Sequence, residues 1–193
     1  CYDNHNKQGG NVTIEASLVF QSLNVAGVAG AIYGKPMENC SNDAPIVAKA
    51  STSPDAIPNG EAYYRVAGIT TYSGADGHVL NCENKENGDI TLSGNITLLR
   101  NDPQSGFNVA GVYAYNSTTG APKNNINRGD INVYTNVSKH SSLTSTTPEA
   151  DKENRIMYRL DIGGVTSHVQ LAPVGKEENF GNITIGKADG TKM

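Results

Sequence analysis

Asn87-Gly88-Asp89-Ile90-Thr91-Leu92-Ser93-Gly94-Asn95, followed shortly by Gly106-Phe107-Asn108-Val109-Ala110-Gly111-Val112-Tyr113-Ala114, decides how this chain is read. The first stretch opens with Gly and a short polar residue and then alternates aliphatic with small polar side chains. That is the period-two pattern of a strand with one buried face. The same packet returns as Gly10-Asn11-Val12-Thr13-Ile14, Gly129-Asp130-Ile131-Asn132-Val133 and Gly181-Asn182-Ile183-Thr184-Ile185. The second stretch carries an aliphatic, a small residue, Gly and another aliphatic. It returns as Asn24-Val25-Ala26-Gly27-Val28 and Arg65-Val66-Ala67-Gly68-Ile69, with a looser copy over Arg159-Leu160-Asp161-Ile162-Gly163-Gly164-Val165.

The spacing of these packets is more informative than their likeness. Glycines of the second type lie 41 residues apart from Gly27 to Gly68, 43 from Gly68 to Gly111 and 53 from Gly111 to Gly164. The first series lengthens in the same interval, and a degenerate packet, Ile46-Val47-Ala48-Lys49-Ala50, fills its one gap. A repeat of this length, whose units cannot bury their apolar sides alone, predicts an all-β solenoid. We expect one unit over 1–193, a parallel β-helix of about four to five coils of roughly 41 residues, with a loop insertion near 140–154. The alternative is an antiparallel β-sandwich in which the recurrence is a coincidence of strand chemistry.

Composition agrees. The chain holds 22 Asn and 21 Gly, residues that supply turns and weaken helix interiors. Its net charge is −4, with no basic stripe, which argues against a nucleic-acid partner. No apolar run approaches the roughly 20 residues that span a membrane as a helix. Phosphate loops, dinucleotide fingerprints and serine-nucleophile elbows are missing from the sequence, so no cofactor is expected.

The two decisive stretches resemble passenger domains of bacterial autotransporter adhesins, which carry Gly-Asp/Asn-Ile strands followed by small-Gly-Val/Ile-Tyr-Ala strands. The resemblance runs from Gly9 to Gly186. It implies a right-handed parallel β-helix, secreted or held at the bacterial cell surface in association with the outer membrane, and a virulence role as an adhesin. Its partners would be host or bacterial cell-surface proteins or glycans, together with self-association through open strand edges. Two other functions remain open: a polysaccharide-active lyase or hydrolase, and a lipid-anchored fimbrial-type subunit.

Few residues stand out as chemistry. Cys40 and Cys82 lie one repeat apart, where neighbouring coils could join them in a disulfide or hold them as two buried thiols. Cys1 is either a lipidated first residue or the edge of a fragment. Arg128-Gly129-Asp130 spells an integrin-binding tripeptide, but Gly129-Asp130 is also the regular opening of a strand packet. Tyr113 and Tyr115 head a set of tyrosines that could form an outward ridge gripping glycans or proteins, or could simply stack between coils. Asp89 and Asp130 occupy equivalent positions and could pair as catalytic carboxylates or cap turns. His5, His78, His140 and His168 are dispersed, without metal-ligand spacing, so neither a catalytic set nor a metal site is expected. Display loops are expected near Ser41–Gly60, Asn116–Arg128 and His140–Asn154.

Overall fold

The computed structural model describes residues 2–18, 21–53, 62–98, 106–117, 120–139, 159–169, 175–187 and 189. These residues form an all-β structure without a helix, and so none that is long and apolar enough to cross a membrane. The strands fall into five layers along the chain. The first holds β1 (His5–Asn6), β2 (Val12–Leu18), β3 (Gln21–Ala26) and β4 (Ala29–Tyr33). The second holds β5 (Met37–Glu38), β6 (Ser41–Asn42), β7 (Ile46–Thr52), β8 (Ala62–Ala67) and β9 (Thr70–Gly74). The third repeats that order as β10 (Val79–Leu80), β11 (Glu83–Asn84), β12 (Ile90–Leu98), β13 (Gly106–Ala110) and β14 (Tyr113–Asn116). The fourth has β15 (Asn125–Asn127), β16 (Ile131–Lys139), β17 (Arg159–Gly163) and β18 (Thr166–Val169), and the fifth has β19 (Glu177–Asn179) and β20 (Ile183–Gly186).

Each strand pairs with its counterpart in the next layer. Two five-stranded sheets run β1-β6-β11-β15-β19 and β2-β7-β12-β16-β20. Two four-stranded sheets run β3-β8-β13-β17 and β4-β9-β14-β18, and β5 pairs with β10. Every pairing between these strands is parallel, which excludes the antiparallel sandwich. The register partner changes from 41 residues away (Lys139 against Leu98) to 53 (Arg159 against Gly106), so the extra length of the fourth layer lies between Lys139 and Arg159. The 140–154 loop itself is outside the described residues. The loop expected over 41–60 is corrected in its first part: Ser41–Asn42 and Ile46–Thr52 are paired strands, because Ile46, Ala48 and Ala50 alternate inward, and residues 54–60 are outside the described residues. Asn125–Asn127 is likewise strand rather than loop.

Alternation sends one side chain in two into the stack. Val12, Ile46, Ile90, Ile131 and Ile183 form one inward column, and Ile14, Ala48, Leu92, Val133 and Ile185 the next. Ile46, Ile90, Leu92 and Ile131 are fully buried, each contributing roughly 1.5–3 kcal/mol. Gly27, Gly68, Gly111 and Gly164 stack at the corner between the β3 and β4 sheets. A Cβ on any of the first three would strike the carbonyl of the next glycine in the column, and on all four it would strike an asparagine amide beneath. The amide N–H of Gly27 bonds to the Gly68 carbonyl at 3.1 Å, and that of Gly111 to Gly164 at 3.0 Å. Close backbone approach, rather than left-handed φ, is what requires glycine here.

The asparagines beneath form a continuous ladder. Asn6 Nδ2 donates to Asn42 Oδ1 (2.7 Å), Asn42 to Asn84 (2.8 Å), Asn84 to Asn127 (2.8 Å) and Asn127 to Asn179 (2.7 Å). The second N–H of each later member goes to a nearby carbonyl: Ala44 from Asn42, Gly88 from Asn84, Gly129 from Asn127 and Gly181 from Asn179. Asn42, Asn84 and Asn127 are fully buried, and this paired arrangement is what makes their burial tolerable.

Candidate functional site

The tyrosines fall on two sides of the stack. Tyr113 points inward and is wholly buried, so its expected part in a binding ridge is corrected. Burial, and secondarily the Glu177 carboxylate, raises its hydroxyl well above the ordinary tyrosine range. Tyr115, two residues on, is only partly buried and belongs to an outer column. Ala31, Tyr72, Tyr115 and His168 are register partners in the β4-β9-β14-β18 sheet.

Their rings stack along the sheet. Tyr72 lies 5.7 Å from Tyr115 and nearly parallel to it, and Tyr115 lies 4.7 Å from His168. Ala31 leaves the first-layer position empty, and Tyr33, 67% exposed, leans over it to meet Tyr72 at 5.4 Å. Gly74 makes this lean feasible, since a Cβ there would collide with both the Tyr72 and Tyr33 rings.

A second column, Asn24, Arg65, Asn108 and Asp161, runs alongside on the β3-β8-β13-β17 sheet. The Arg65 guanidinium sits 5.1 Å from the Tyr72 ring centre and 4.7 Å from that of Tyr115, a cation–π arrangement. Asn108 Nδ2 donates to Asp161 Oδ2 at 3.1 Å, and His168 Nδ1 lies 3.7 Å from the same oxygen. Tyr72 and Ser117 share a 2.7 Å hydroxyl hydrogen bond, and Thr71 Oγ1 donates to Asn24 Oδ1 at 3.0 Å. The result is a ridge across four layers that offers aromatic edges, a cation and amides from a rigid base.

The other sequence candidates lie elsewhere. Arg128 Nε bonds to Glu83 Oε1 at 2.7 Å, and its guanidinium covers Phe180 at 4.8 Å. Asp130 Oδ1 accepts the backbone N–H of Asn182 at 2.8 Å, and Asp89 Oδ1 that of Asp130 at the same distance. Gly129 lies against the Gly88 carbonyl. The tripeptide is thus built into the strand openings, with both charged ends engaged within the chain, and Asp89 and Asp130 each cap a backbone N–H of the next layer. Near them, open depressions of about 420 and 270 Å³ are lined by Asp43 and Lys85, with the Glu83–Arg128 pair in the smaller.

Cys40 and Cys82 are buried in adjacent layers and are not joined by a disulfide. The Cys40 N–H donates to Cys82 Sγ at 3.4 Å, and burial above all pushes the Cys82 thiol up to about 12. Register continues this column to Asn125 and Glu177. Asn125 Nδ2 donates to Glu177 Oε1 at 3.1 Å, while Oε2 is buried without a partner among the described residues. Burial raises that carboxyl to about 7, against the smaller opposing effect of the Asn125 bonds. Cys1 and His140 are outside the described residues. Among those described, no group of three His, Cys, Asp or Glu side chains could hold a metal ion. Sequence reasoning missed the asparagine ladder and Arg65. Their signal was an Asn recurring once per repeat, 36, 42, 43 and 52 residues apart, and an Arg in one packet where two others carry Asn and the looser copy Asp. Comparison with protein-family models, with curated proteins and with solved structures finds no match.

Proposed function

We propose that this chain is a segment of a right-handed parallel β-helix that serves, without catalysis, as an adhesin or interaction scaffold of the autotransporter-passenger kind at a bacterial cell surface. The parallel layer-on-layer register supports the helix, and right-handed crossovers between parallel strands are the strong rule. The adhesive role rests on one observation, the Tyr33–Tyr72–Tyr115–His168 stack with Arg65 against it. Tyrosine and arginine are the side chains most enriched where proteins grip partners, since they give large contact area with few rotatable bonds. On a stack of paired strands the ridge is ordered before binding, which reduces the entropy lost on contact. Its partner is a cell-surface glycan or protein. The chain would be tested on glycan arrays and host cells beside Tyr33→Ala/Tyr72→Ala and a variant lacking 140–154. Loss of binding in the double variant supports the ridge. Retained binding there, with loss on loop deletion, transfers the function to the loop; binding by neither the parent chain nor its variants ends the adhesin reading.

A further inference from the structure

The ridge repeats in step with the layers. From Tyr33 through Tyr72 and Tyr115 to His168 its ring centres lie 5.4, 5.7 and 4.7 Å apart, close to the roughly 4.8 Å between paired strands. The polar column on the neighbouring sheet keeps the same step, because register sets Asn24, Arg65, Asn108 and Asp161 one layer apart. The Arg65 guanidinium reaches the rings of both Tyr72 and Tyr115, so the two columns line one strip of surface along the stack. Asn108 is buried and gives its amide N–H to Asp161. The polar groups that face a ligand are therefore the exposed Asn24 amide, whose oxygen accepts from Thr71, the Arg65 guanidinium and the Asp161 carboxylate.

Repeat length discriminates between ligands that could lie along this strip. An extended peptide repeats its side chains every two residues, roughly 6.6–6.8 Å, and so falls out of step with the layers at once. A chain of β-1,4-linked hexopyranoses is also extended, but it advances by one sugar ring per residue, close to one layer. An α-1,4-linked chain of the same sugars coils and loses the match. Charge agrees with a neutral polymer, since Arg65 and Asp161 carry opposite signs and Asn24 carries none. Amide, guanidinium and carboxylate are planar groups whose paired atoms suit two neighbouring hydroxyls. Tyr72 and Tyr115 stack on each other and present edges, whereas Tyr33, tilted 44° from Tyr72 and 67% exposed, leaves much of its ring uncovered.

We propose that the ridge binds a neutral, extended β-1,4-linked polysaccharide lying along the stack, one sugar residue to each layer, with Tyr33, Tyr72, Tyr115 and His168 marking four successive subsites. The inference rests on the ridge being the adhesive surface, and it narrows the partner from any surface glycan or protein to one polymer geometry. The strands hold the rings and charges in place before contact, so most of the ordering on binding falls on the polymer, itself already extended.

The test is calorimetric titration of the whole 193-residue chain with β-1,4-linked oligomers of glucose, mannose and N-acetylglucosamine, two to six residues long. Oligomers of α-1,4-linked glucose of equal length are the comparison. In at least one β-linked series, affinity should rise about three- to tenfold with each residue from two to four and then level off. The α-linked tetramer should bind about tenfold more weakly or worse. Tyr33→Ala removes an exposed terminal subsite and leaves the core alone, so it should move the plateau from four residues to three. Tyr115→Ala removes an inner subsite and should weaken the tetramer about tenfold or more, with circular dichroism confirming the fold. Affinity independent of length, a plateau that Tyr33→Ala does not move, or α-linked oligomers bound equally well would overturn the proposal. So would a chain that binds no oligomer yet loses host-cell attachment in Tyr33→Ala/Tyr72→Ala; that result leaves the adhesive reading standing with a protein partner. A chain that binds neither oligomers nor cells removes both readings.

Discussion

Replacing Asn84 by alanine is the sharpest perturbation of this fold. Asn84 sits in the central layer, fully buried, with three side-chain hydrogen bonds: it accepts from Asn42 Nδ2 and donates to Asn127 Oδ1 and the Gly88 carbonyl, each at 2.8 Å. Alanine removes all three and strands three buried groups. At about 1–3 kcal/mol for each unsatisfied group, less what water admitted to the vacated space restores, the loss should be about 3–5 kcal/mol. Asn6 is the control. It occupies the end of the same ladder, half-buried, and makes one ladder bond, so Asn6→Ala should cost only about 0.5–1.5 kcal/mol. Urea unfolding followed by circular dichroism measures both, and the m value must also be compared because layered repeats can unfold in parts. A cost for Asn84→Ala below about 1 kcal/mol, or equal to that of Asn6→Ala, would refute the claim that the ladder is a cooperative buried network.

Other expectations concern single positions. Gly111→Ala should destabilise the chain by about 1–3 kcal/mol or more in the same unfolding assay, because its Cβ meets the Gly164 carbonyl and the Asn127 amide. Gly30→Ala, where a Cβ meets nothing within 4 Å, should be neutral or slightly stabilising. Glu177 has a folded-state carboxyl raised to about 7 from an ordinary 4.5, so the folded state binds more protons between those values and stability falls as pH rises across them. Glu177→Gln should flatten that decline and be the more stable form above the window, as urea midpoints across pH will show. A thiol reagent should leave Cys40 and Cys82 unmodified in the native protein and label both in urea without reductant; failure to label in urea would mean they are joined.

How much of this was legible follows from which side chains carry strand signals. The Gly-Asp-Ile packets at 88–92 and 129–133 announce β12 and β16, because β-branched alternation is what a half-buried strand needs. The Gly27, Gly68 and Gly111 column could be anticipated from spacing alone, although its cause, the neighbouring carbonyl, required coordinates. The short strands Ser41–Asn42 and Glu83–Asn84 were invisible, since Asn and Ser look like turn residues until their amides are seen bonded layer to layer. The split between buried Tyr113 and half-exposed Tyr115 could not be read from composition either. Arg65 acquires meaning only through the rings of Tyr72, on the next strand of its own layer, and Tyr115, one layer on.

The layered register itself is most directly tested by distances along one outward column. Thr13, Val47, Thr91, Asn132 and Thr184 are successive partners in the β2-β7-β12-β16-β20 sheet. Spin labels would be placed on cysteines at Thr13 and each later position in turn, with the native thiols replaced by alanine, and measured by pulsed electron paramagnetic resonance. Layers about 4.8 Å apart should separate Thr13 from Asn132 by about 14 Å and from Thr184 by about 19 Å, before allowance for the label arms. Separations growing by one equal step per repeat would carry the account. A Thr13–Thr184 distance well beyond 30 Å, or one that does not increase in order along the column, would contradict it.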